Sequence, residues 1–168
     1  ENREIMMKMF PDLFHSNRVL RVDDYPTRLL QTLMSLAPKK CDSSVPTVVL
    51  LTPGHLNSAY YEHTFLSDQM GIEMVEAQDL FVENDFLYMK TVDGPKKIDV
   101  VYRRIDDDYL DPLAYNPNSV IGVPGITHVY KTGGVNICSA PGAGIADDKA
   151  VYIYVPEMIK FYLGETPI

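Results

Sequence analysis

The succession of apolar runs and polar turns predicts an α/β domain in the middle of this chain. Thr47–Leu51 is an almost continuously apolar run, as expected for a strand that is covered on both faces. A polar loop follows, then a helix from about Ala59 to Met70 that Gly71 ends, and then a second strand at Ile72–Val75. A strand, a helix and a strand in this order form a βαβ unit, whose two strands lie parallel.

The other periodic segments extend this unit to a Rossmann-like α/β fold with a parallel or mixed sheet and flanking helices. In chain order, the further predicted elements are a short helix broken near Pro11, a helix at Thr27–Leu36, a hairpin of Phe81–Val82 with Leu87–Thr91, a strand at Ile98–Tyr102, a helix at Ser119–Lys131 bent at Pro124-Gly125, a strand at Val135–Cys138, a helix that begins near Asp147 and a helical tail at Met158–Leu163. The polar stretch Lys39–Pro46 indicates a boundary. We therefore predict a helical lead-in at residues 1–44 and the α/β domain at residues 45–168.

Composition and charge narrow the class of protein. Of the 168 residues, 46% are hydrophobic and 23% are charged, which is typical of a globular domain. The net charge of −8 disfavours nucleic acids and anionic membranes as partners, and no apolar run is long enough for a membrane span. Because the chain begins with Glu1 rather than Met, we expect it to be an excerpt of a longer polypeptide.

Cysteines and histidines are too sparse to predict a metal site. Cys41 and Cys138 lie far apart and outside any CxxC pattern, which favours a reducing, cytoplasmic location and leaves a single disulfide open. His55 and His63 have no third ligand nearby in the sequence, so we expect each to be exposed or to cap a helix.

A charged cluster follows the predicted strand at Ile98–Tyr102, where Arg103 and Arg104 precede Asp106–Asp108. Ligands of open α/β sheets bind beyond the carboxyl ends of the strands, and a guanidinium group can hold a carboxylate or phosphate through two parallel hydrogen bonds. A solvated, salt-bridged strand end is an equally good interpretation of the spacing alone. The three aspartates could supply at most one or two Mg²⁺ ligands, since consecutive side chains point in different directions.

Two loops that precede helices are candidate anion sites. Thr52–Ser58 lies between a strand and a helix, although its Pro-Gly turn is more often structural. The glycine-rich segment Gly142–Lys149 brings Lys149 into the first turn of a helix, as phosphate-binding loops do, but it lacks the GK[ST] pattern. Asp147 acting as a helix N-cap, with Asp148 in the first turn, explains this segment equally well.

Several motifs, taken in chain order, resemble one protein family. They are Thr52-Pro53-Gly54 with Asn57–His63, Tyr102–Asp108, Gly144–Tyr152, Val155–Ile159 and Tyr162–Glu165. Together they resemble the bacterial circularly permuted ATP-grasp proteins related to glutathionylspermidine synthase, over nearly the whole chain. Glu1-Asn2-Arg3 resembles the end of a further motif of this family that begins upstream.

The resemblance implies a cytoplasmic carboxylate–amine ligase that uses ATP and Mg²⁺, of which this chain is the central, substrate-binding domain. ATP phosphorylates a carboxylate, and an amine attacks the acyl phosphate to give an amide. A more distant similarity to the substrate domain of eukaryotic glutathione synthetases implies that Arg103 and Arg104 bind the acceptor, with Arg104 in the catalytic role. It also implies that Asn57 and Glu62 contact substrate and that Lys149 approaches the ATP phosphates.

The same resemblance sets limits on what this chain contains. The family's Mg²⁺-binding acidic residues lie upstream and most of its ATP-clamping sheet lies downstream, so no metal ligand is expected here, Asp106–Asp108 included. The expected partners are a small peptide-like or amine substrate and the remaining ATP-grasp domains of the same polypeptide. The isolated chain is expected neither to bind ATP tightly nor to catalyse.

Two other interpretations stay open. One is a non-catalytic ligand- or partner-binding module that has the same fold. The other is a flavodoxin-like nucleotide-binding domain, which is weakened because no glycine fingerprint follows the first strand.

Overall fold

The computed structural model describes residues 2–17, 19–20 and 22–167, which form both helices and strands. The α-helices are α1 (Asn2–Met9), α2 (Pro11–Ser16), α3 (Tyr25–Ser35), α4 (Tyr60–Met70), α5 (Asp107–Leu110), α6 (Ile126–Lys131), α7 (Gly144–Asp147) and α8 (Val155–Leu163), and short 3₁₀ helices lie at Ala77–Asp79 and Lys149–Ile153. The strands are β1 (Val48–Leu51), β2 (Glu73–Val75), β3 (Leu80–Glu83), β4 (Phe86–Thr91), β5 (Gly94–Ile98), β6 (Val100–Arg103) and β7 (Asn136–Cys138).

Four strands form a parallel sheet in the order β2-β1-β6-β7. In this sheet Leu51 lies opposite Val75 on one side and opposite Arg103 on the other. Strands β1 and β2 with α4 form the predicted βαβ unit, and Gly71 ends α4 in the left-handed conformation. The predicted α/β fold with a parallel or mixed sheet is therefore confirmed.

The parallel sheet is the middle of three layers. On one face it packs against α3 and α4, in a core that includes Leu33, Leu50 and Met70. On the other face it packs against an antiparallel sheet with the order β3-β4-β5, in a larger core that includes Leu51 and Leu87. Both faces of β1 are thus covered, and all four of its residues are buried, as the apolar run predicted.

The predicted strand at Ile98–Tyr102 is in fact two strands. Ile98 ends β5 in the antiparallel sheet, whereas Val100 begins β6 in the parallel sheet. The buried Asp99 makes the break, because its backbone N–H donates to the carbonyl oxygen of Thr47 at 3.0 Å and its carboxylate accepts from the Thr47 N–H at 2.9 Å. The ammonium group of Lys97 lies 3.5 Å from the other carboxylate oxygen of Asp99. The Asp99 carboxylate therefore stabilises the point at which the chain leaves the antiparallel sheet and enters the parallel sheet.

The predicted helix at Ser119–Lys131 is wrong over its first half, because α6 begins only at Ile126. Proline at position 124 has no backbone N–H and is a poor residue for the interior of a helix. The buried carboxylate of Asp111 then accepts hydrogen bonds from the N–H groups of Gly125 and Thr127, each at 3.0 Å. Asp111 therefore caps α6 from a distant part of the chain, which local sequence cannot show.

The other predicted elements are close to those observed. The hairpin turns at Asn84 and Asp85, which have positive φ angles of 48° and 62°, and the chain breaks between α1 and α2 at Pro11. The late helix differs from the prediction, because α7 ends at Asp147. The 3₁₀ helix that follows is capped by Asp148 rather than by Asp147. Across the described ranges, no helix is long and apolar enough to cross a membrane.

Candidate functional site

The carboxyl edge of the parallel sheet contains a topological switch point between β1 and β6. From β1 the chain passes through α4 to β2 on one side of the sheet, and from β6 it passes through α5 and α6 to β7 on the other. The helices of these two connections pack on opposite faces, because α4 contributes Met70 to one core and α6 contributes Val129 to the other. Such a divergence leaves a crevice where ligands of α/β sheets bind.

Backbone pairing continues one residue beyond the strands at this edge. The N–H of Thr52 donates to the carbonyl oxygen of Val75, and the N–H of Arg104 donates to the carbonyl oxygen of Leu51, both at 2.9 Å. Since neighbouring strands lie about 4.8 Å apart, Arg104 stands directly beside Thr52. The two residues begin the loops that border the crevice.

Arg103 is directed into the protein. Its Nη1 lies 2.6 Å from Oδ1 of Asp107 and donates to the carbonyl oxygen of Ile105, also at 2.6 Å. Its Nε and Nη2 donate to the carbonyl oxygens of Ser139 and Ala140, at 3.0 and 3.4 Å. The side chain is only 9% exposed. Arg103 therefore fastens α5 to the loop that follows β7, and its contact with substrate stays a prediction.

Arg104 differs from its neighbour because its guanidinium group is exposed. It lies 5.9 Å from the centre of the Tyr102 ring, and Nη1 is 3.5 Å from the Tyr102 hydroxyl oxygen. Within the part of the chain that the structure describes, no carboxylate lies at ion-pair distance from Arg104. Arg104 is thus available to an anionic group in the crevice.

The loop after β1 is held by a buried histidine. The hydroxyl oxygen of Thr52 lies 2.9 Å from Nδ1 of His63, and it accepts a hydrogen bond from the Gly54 N–H at 3.3 Å. Gly54 has φ +101°, and a Cβ at this position would lie 3.2 Å from the carboxylate of Glu76. This close approach and the positive φ both favour glycine.

The exposed or helix-capping role expected for His63 is wrong, because only 3% of this residue is exposed. Burial lowers the pKa of His63, and the positive charge of Arg104 lowers it further, while Glu62 acts in the opposite direction. Spacing along α4 could have shown the burial, since His63, Ser67 and Met70 share one face of the helix and are all buried.

Asn57 lies in the loop after β1 and Glu62 lies in α4, and their side chains have different surroundings. The side-chain oxygen of Asn57 accepts from the Ala59 N–H at 2.8 Å, which turns the loop into α4. Glu62 is exposed in the first turn of α4, where it borders a groove of about 1280 Å³ between this helix and the N-terminal helices. The groove is also lined by the rings of Phe14 and Phe65.

Lys149 is the first residue of the short 3₁₀ helix and is exposed. The preceding loop is anchored at the end of β6, because the Gly142 N–H donates to Asp107 at 2.8 Å and Arg103 binds Ser139. No contact between Lys149 and Arg104 is present among the described residues. The structure places the start of the loop, rather than the lysine itself, at the crevice.

The remaining predictions concern the three consecutive aspartates, a metal site and the two cysteines. Asp107 pairs with Arg103, so one of the three consecutive aspartates forms an ion pair at this strand end. No three His, Cys, Asp or Glu side chains in the described ranges lie close enough to hold a metal ion. Cys41 and Cys138 are both free, and burial raises the pKa of the Cys138 thiol.

Sequence comparison finds one family and several longer relatives. A family model described as a circularly permuted ATPgrasp matches residues 1–168. The uncharacterized protein sll0335 of Synechocystis sp. is 52% identical over 168 residues, which are 100% of this chain and 34% of that protein. The uncharacterized protein Rv2411c of Mycobacterium tuberculosis is 50% identical over 169 residues, covering 100% of this chain and 30% of that protein.

A third relative carries a functional name. The protein named "Putative glutamate--cysteine ligase 2-3" of Frankia alni is 37% identical over 168 residues, which are 100% of this chain and 19% of that protein. The chain therefore spans about a third or less of the length of these relatives.

Proposed function

The chain belongs to the circularly permuted ATP-grasp family, and from this membership we propose that it forms the acceptor-binding part of an ATP-dependent carboxylate–amine ligase. In this reaction ATP, when bound, supplies the phosphoryl group that activates a carboxylate as an acyl phosphate. The amine nitrogen then attacks the acyl carbon, the bond to phosphate breaks, and an amide, inorganic phosphate and a proton result. The residues of this chain bind and orient the acceptor for that attack.

The exposed guanidinium group of Arg104 carries this proposal. It stands at the switch point of the sheet, beside Thr52, and no carboxylate of the described residues neutralises it. A planar guanidinium fork suits a carboxylate of a small peptide-like substrate. We assign Arg104 to binding and orienting the acceptor, and Arg103 to holding the strand end on which Arg104 stands.

Asn57, Glu62 and Lys149 are proposed to complete the site. Asn57 lies in the crevice loop, where its side-chain oxygen accepts from the Ala59 N–H, and Glu62 offers an exposed carboxylate suited to an ammonium group. Lys149 follows the loop anchored at β6 and is assigned to an ATP phosphate. Among the described residues, no three His, Cys, Asp or Glu side chains lie close enough to hold a metal ion, and no metal-dependent step is assigned to them.

We further propose that the remaining domains of the same polypeptide cover the ends of this chain. The relatives are about three or more times as long, and apolar side chains are exposed at both ends, such as Met9 at 65% and Phe161 at 81%. We place the ligase in the cytoplasm, where ATP is available and thiols such as Cys41 stay reduced.

The test uses the full-length protein and measures ADP and phosphate release with mass-spectrometric detection of the product. L-glutamate and L-cysteine are the first substrates to try, because the Frankia alni relative is named for them, followed by a panel of peptides and amines. Arg104→Ala should lower turnover about tenfold or more, since orientation of the acceptor is lost. Lys149→Ala should raise the KM for ATP by a similar factor.

Lys131→Ala is the matched control, because Lys131 is exposed at the end of α6, away from the crevice. Normal turnover of the Arg104 variant, together with a normal KM for ATP in the Lys149 variant, would show that the site assignment is wrong. Binding of an acceptor without ADP formation by the wild-type protein would favour the non-catalytic binding module instead. The 168-residue chain alone should bind ATP only weakly. Micromolar affinity in calorimetry would contradict the proposal that this chain mainly binds the acceptor.

A further inference from the structure

We propose that His63 is a positioning residue of the acceptor site, which holds the Thr52–Ser58 loop through the hydroxyl group of Thr52. This inference rests on the proposed function, because it concerns the loop beside Arg104. His63 itself lies behind the loop on the buried face of α4. It acts on the acceptor through Thr52 rather than by touching it.

We assign the proton of the hydrogen bond between Thr52 and His63 to the Thr52 hydroxyl group. The Thr52 oxygen accepts from the Gly54 N–H at 3.3 Å and lies 2.9 Å from Nδ1 of His63, and in this assignment it donates its own proton to Nδ1. Nδ1 can accept this proton only in the neutral ring that carries its hydrogen on Nε2. A continuous chain of donors and acceptors thus runs from the loop backbone to helix α4.

The surroundings of His63 favour that neutral ring. The charged groups that face it are Arg104 at the end of β6 and Glu62 on its own helix. Burial and the Arg104 guanidinium both disfavour a protonated ring, and they outweigh Glu62, so that the pKa of His63 lies below its ordinary value. A neutral His63 keeps its Nδ1 lone pair for Thr52 and adds no second positive charge beside Arg104.

A purely structural histidine would affect the whole fold rather than this loop. The two roles are separated by amide hydrogen exchange, measured by NMR on the 168-residue chain. Thr52→Val keeps the shape of the side chain but removes the hydroxyl group, and Thr52→Ser keeps the hydroxyl group. His128→Leu is the matched control for His63→Leu, because His128 is an exposed histidine on α6 that contacts Asp85.

The expected result is local. Thr52→Val and His63→Leu should speed exchange at Gly54 and Asn57 by about tenfold or more, while the amides of β1 change far less. Thr52→Ser should restore slow exchange, and His128→Leu should leave the loop unchanged. In the wild-type chain at neutral pH, nitrogen-15 shifts should show a hydrogen on Nε2 of His63 and none on Nδ1.

Two outcomes would overturn the inference: a hydrogen on Nδ1 of His63 at neutral pH, or unchanged loop exchange in Thr52→Val. In the full-length ligase, Thr52→Val should raise the KM for the acceptor more than the KM for ATP. An unchanged acceptor KM, together with faster loop exchange, would remove this loop from the acceptor site and would also overturn the inference, whereas the proposed function would be contradicted by a wild-type protein that forms no product. The NMR measurement therefore tests the hydrogen bond between His63 and Thr52, and the kinetic measurement independently tests the contribution of the loop to acceptor binding.

Discussion

Replacing Arg103 by alanine should destabilise the chain, whereas the same replacement at the adjacent Arg104 should leave its stability almost unchanged. The two residues follow each other along the chain, so their local sequence context is nearly identical. They differ in what their guanidinium groups contact. The pair of variants therefore shows whether Arg103 has a structural role that the adjacent Arg104 lacks.

The expected loss follows from the contacts of Arg103. Its guanidinium donates to three carbonyl oxygens and lies 2.6 Å from the Asp107 carboxylate, and the side chain is only 9% exposed. Removing one partner of a buried pair costs about 3–5 kcal/mol, because the other charge is left unpaired. Asp107 is 31% exposed, so water can partly solvate its carboxylate. We therefore expect the low end of this range, about 3 kcal/mol.

Arg104→Ala should lower the free energy of unfolding much less than Arg103→Ala. Its hydrogen bond to the Tyr102 hydroxyl group is 3.5 Å long, and its stacking on the same ring is exposed to water. An exposed cation–π contact contributes about 0.5–1 kcal/mol, so Arg104→Ala should cost no more than about 1 kcal/mol. For a chain of this size the two variants should differ in Tm by roughly 4–8 °C.

Thermal unfolding followed by circular dichroism, with urea unfolding as a second measurement, tests the pair. Arg103→Lys should recover part of the stability, because an ammonium group can reach Asp107 but cannot serve all the carbonyl oxygens at once. Equal losses in the two alanine variants would refute the assignment of separate roles. So would a loss at Arg103 below about 1 kcal/mol, since the network would then be worth no more than an exposed ion pair.

Three further predictions concern closely packed or buried positions. Gly134→Ala should lower the free energy of unfolding in urea by about 3 kcal/mol or more, because a Cβ would lie 1.9 Å from the backbone oxygen of Asp85. Gly144→Ala is the control, since a Cβ there meets no atom within 4 Å and the free energy of unfolding should be nearly unchanged. Asp111→Ala should cost about 3–5 kcal/mol, since its buried carboxylate accepts from three backbone N–H groups, and a loss under about 1 kcal/mol would contradict this. Burial lowers the folded-state pKa of His63 below 6.5, so the unfolded chain takes up a proton first as the pH falls. The free energy of unfolding should therefore decrease below pH 6.5 by up to about 1.4 kcal/mol per pH unit, and His63→Leu should flatten this slope.

The elements that local sequence determines were predictable. The apolar run of β1, the helix that Gly71 ends and the hairpin at Asn84-Asp85 each carry their own signal of periodicity or turn chemistry. Strand β5 was missed because Gly94–Lys97 has neither the β-branched residues nor the alternation typical of strands. It becomes a strand only because β4 pairs with it, from Leu87 opposite Ile98 to Thr91 opposite Gly94.

The candidate site was predictable in its position but not in its internal contacts. A charged cluster after a buried strand indicates the carboxyl edge of a sheet, which located Arg104 correctly. The bond between Thr52 and His63 joins residues on different elements, and Asp111 caps a helix that begins fifteen residues later. Such contacts depend on the tertiary fold, so a pattern along the chain cannot specify them.

Strand alternation explains why two adjacent arginines take different roles. Val101 and Arg103 point to the face that packs on the antiparallel sheet, where Arg103 meets Asp107, while Tyr102 and Arg104 point to the face of α4 and His63. Arg104, and not Arg103, therefore lies on the face of the sheet beside His63. Arg103 is used to hold the start of the loop that leads towards the phosphate-contacting lysine proposed above. If the proposed role of Lys149 is correct, loss of Arg103 should weaken ATP binding by the full-length protein without any direct contact with the nucleotide, and Arg103→Lys should recover part of the binding.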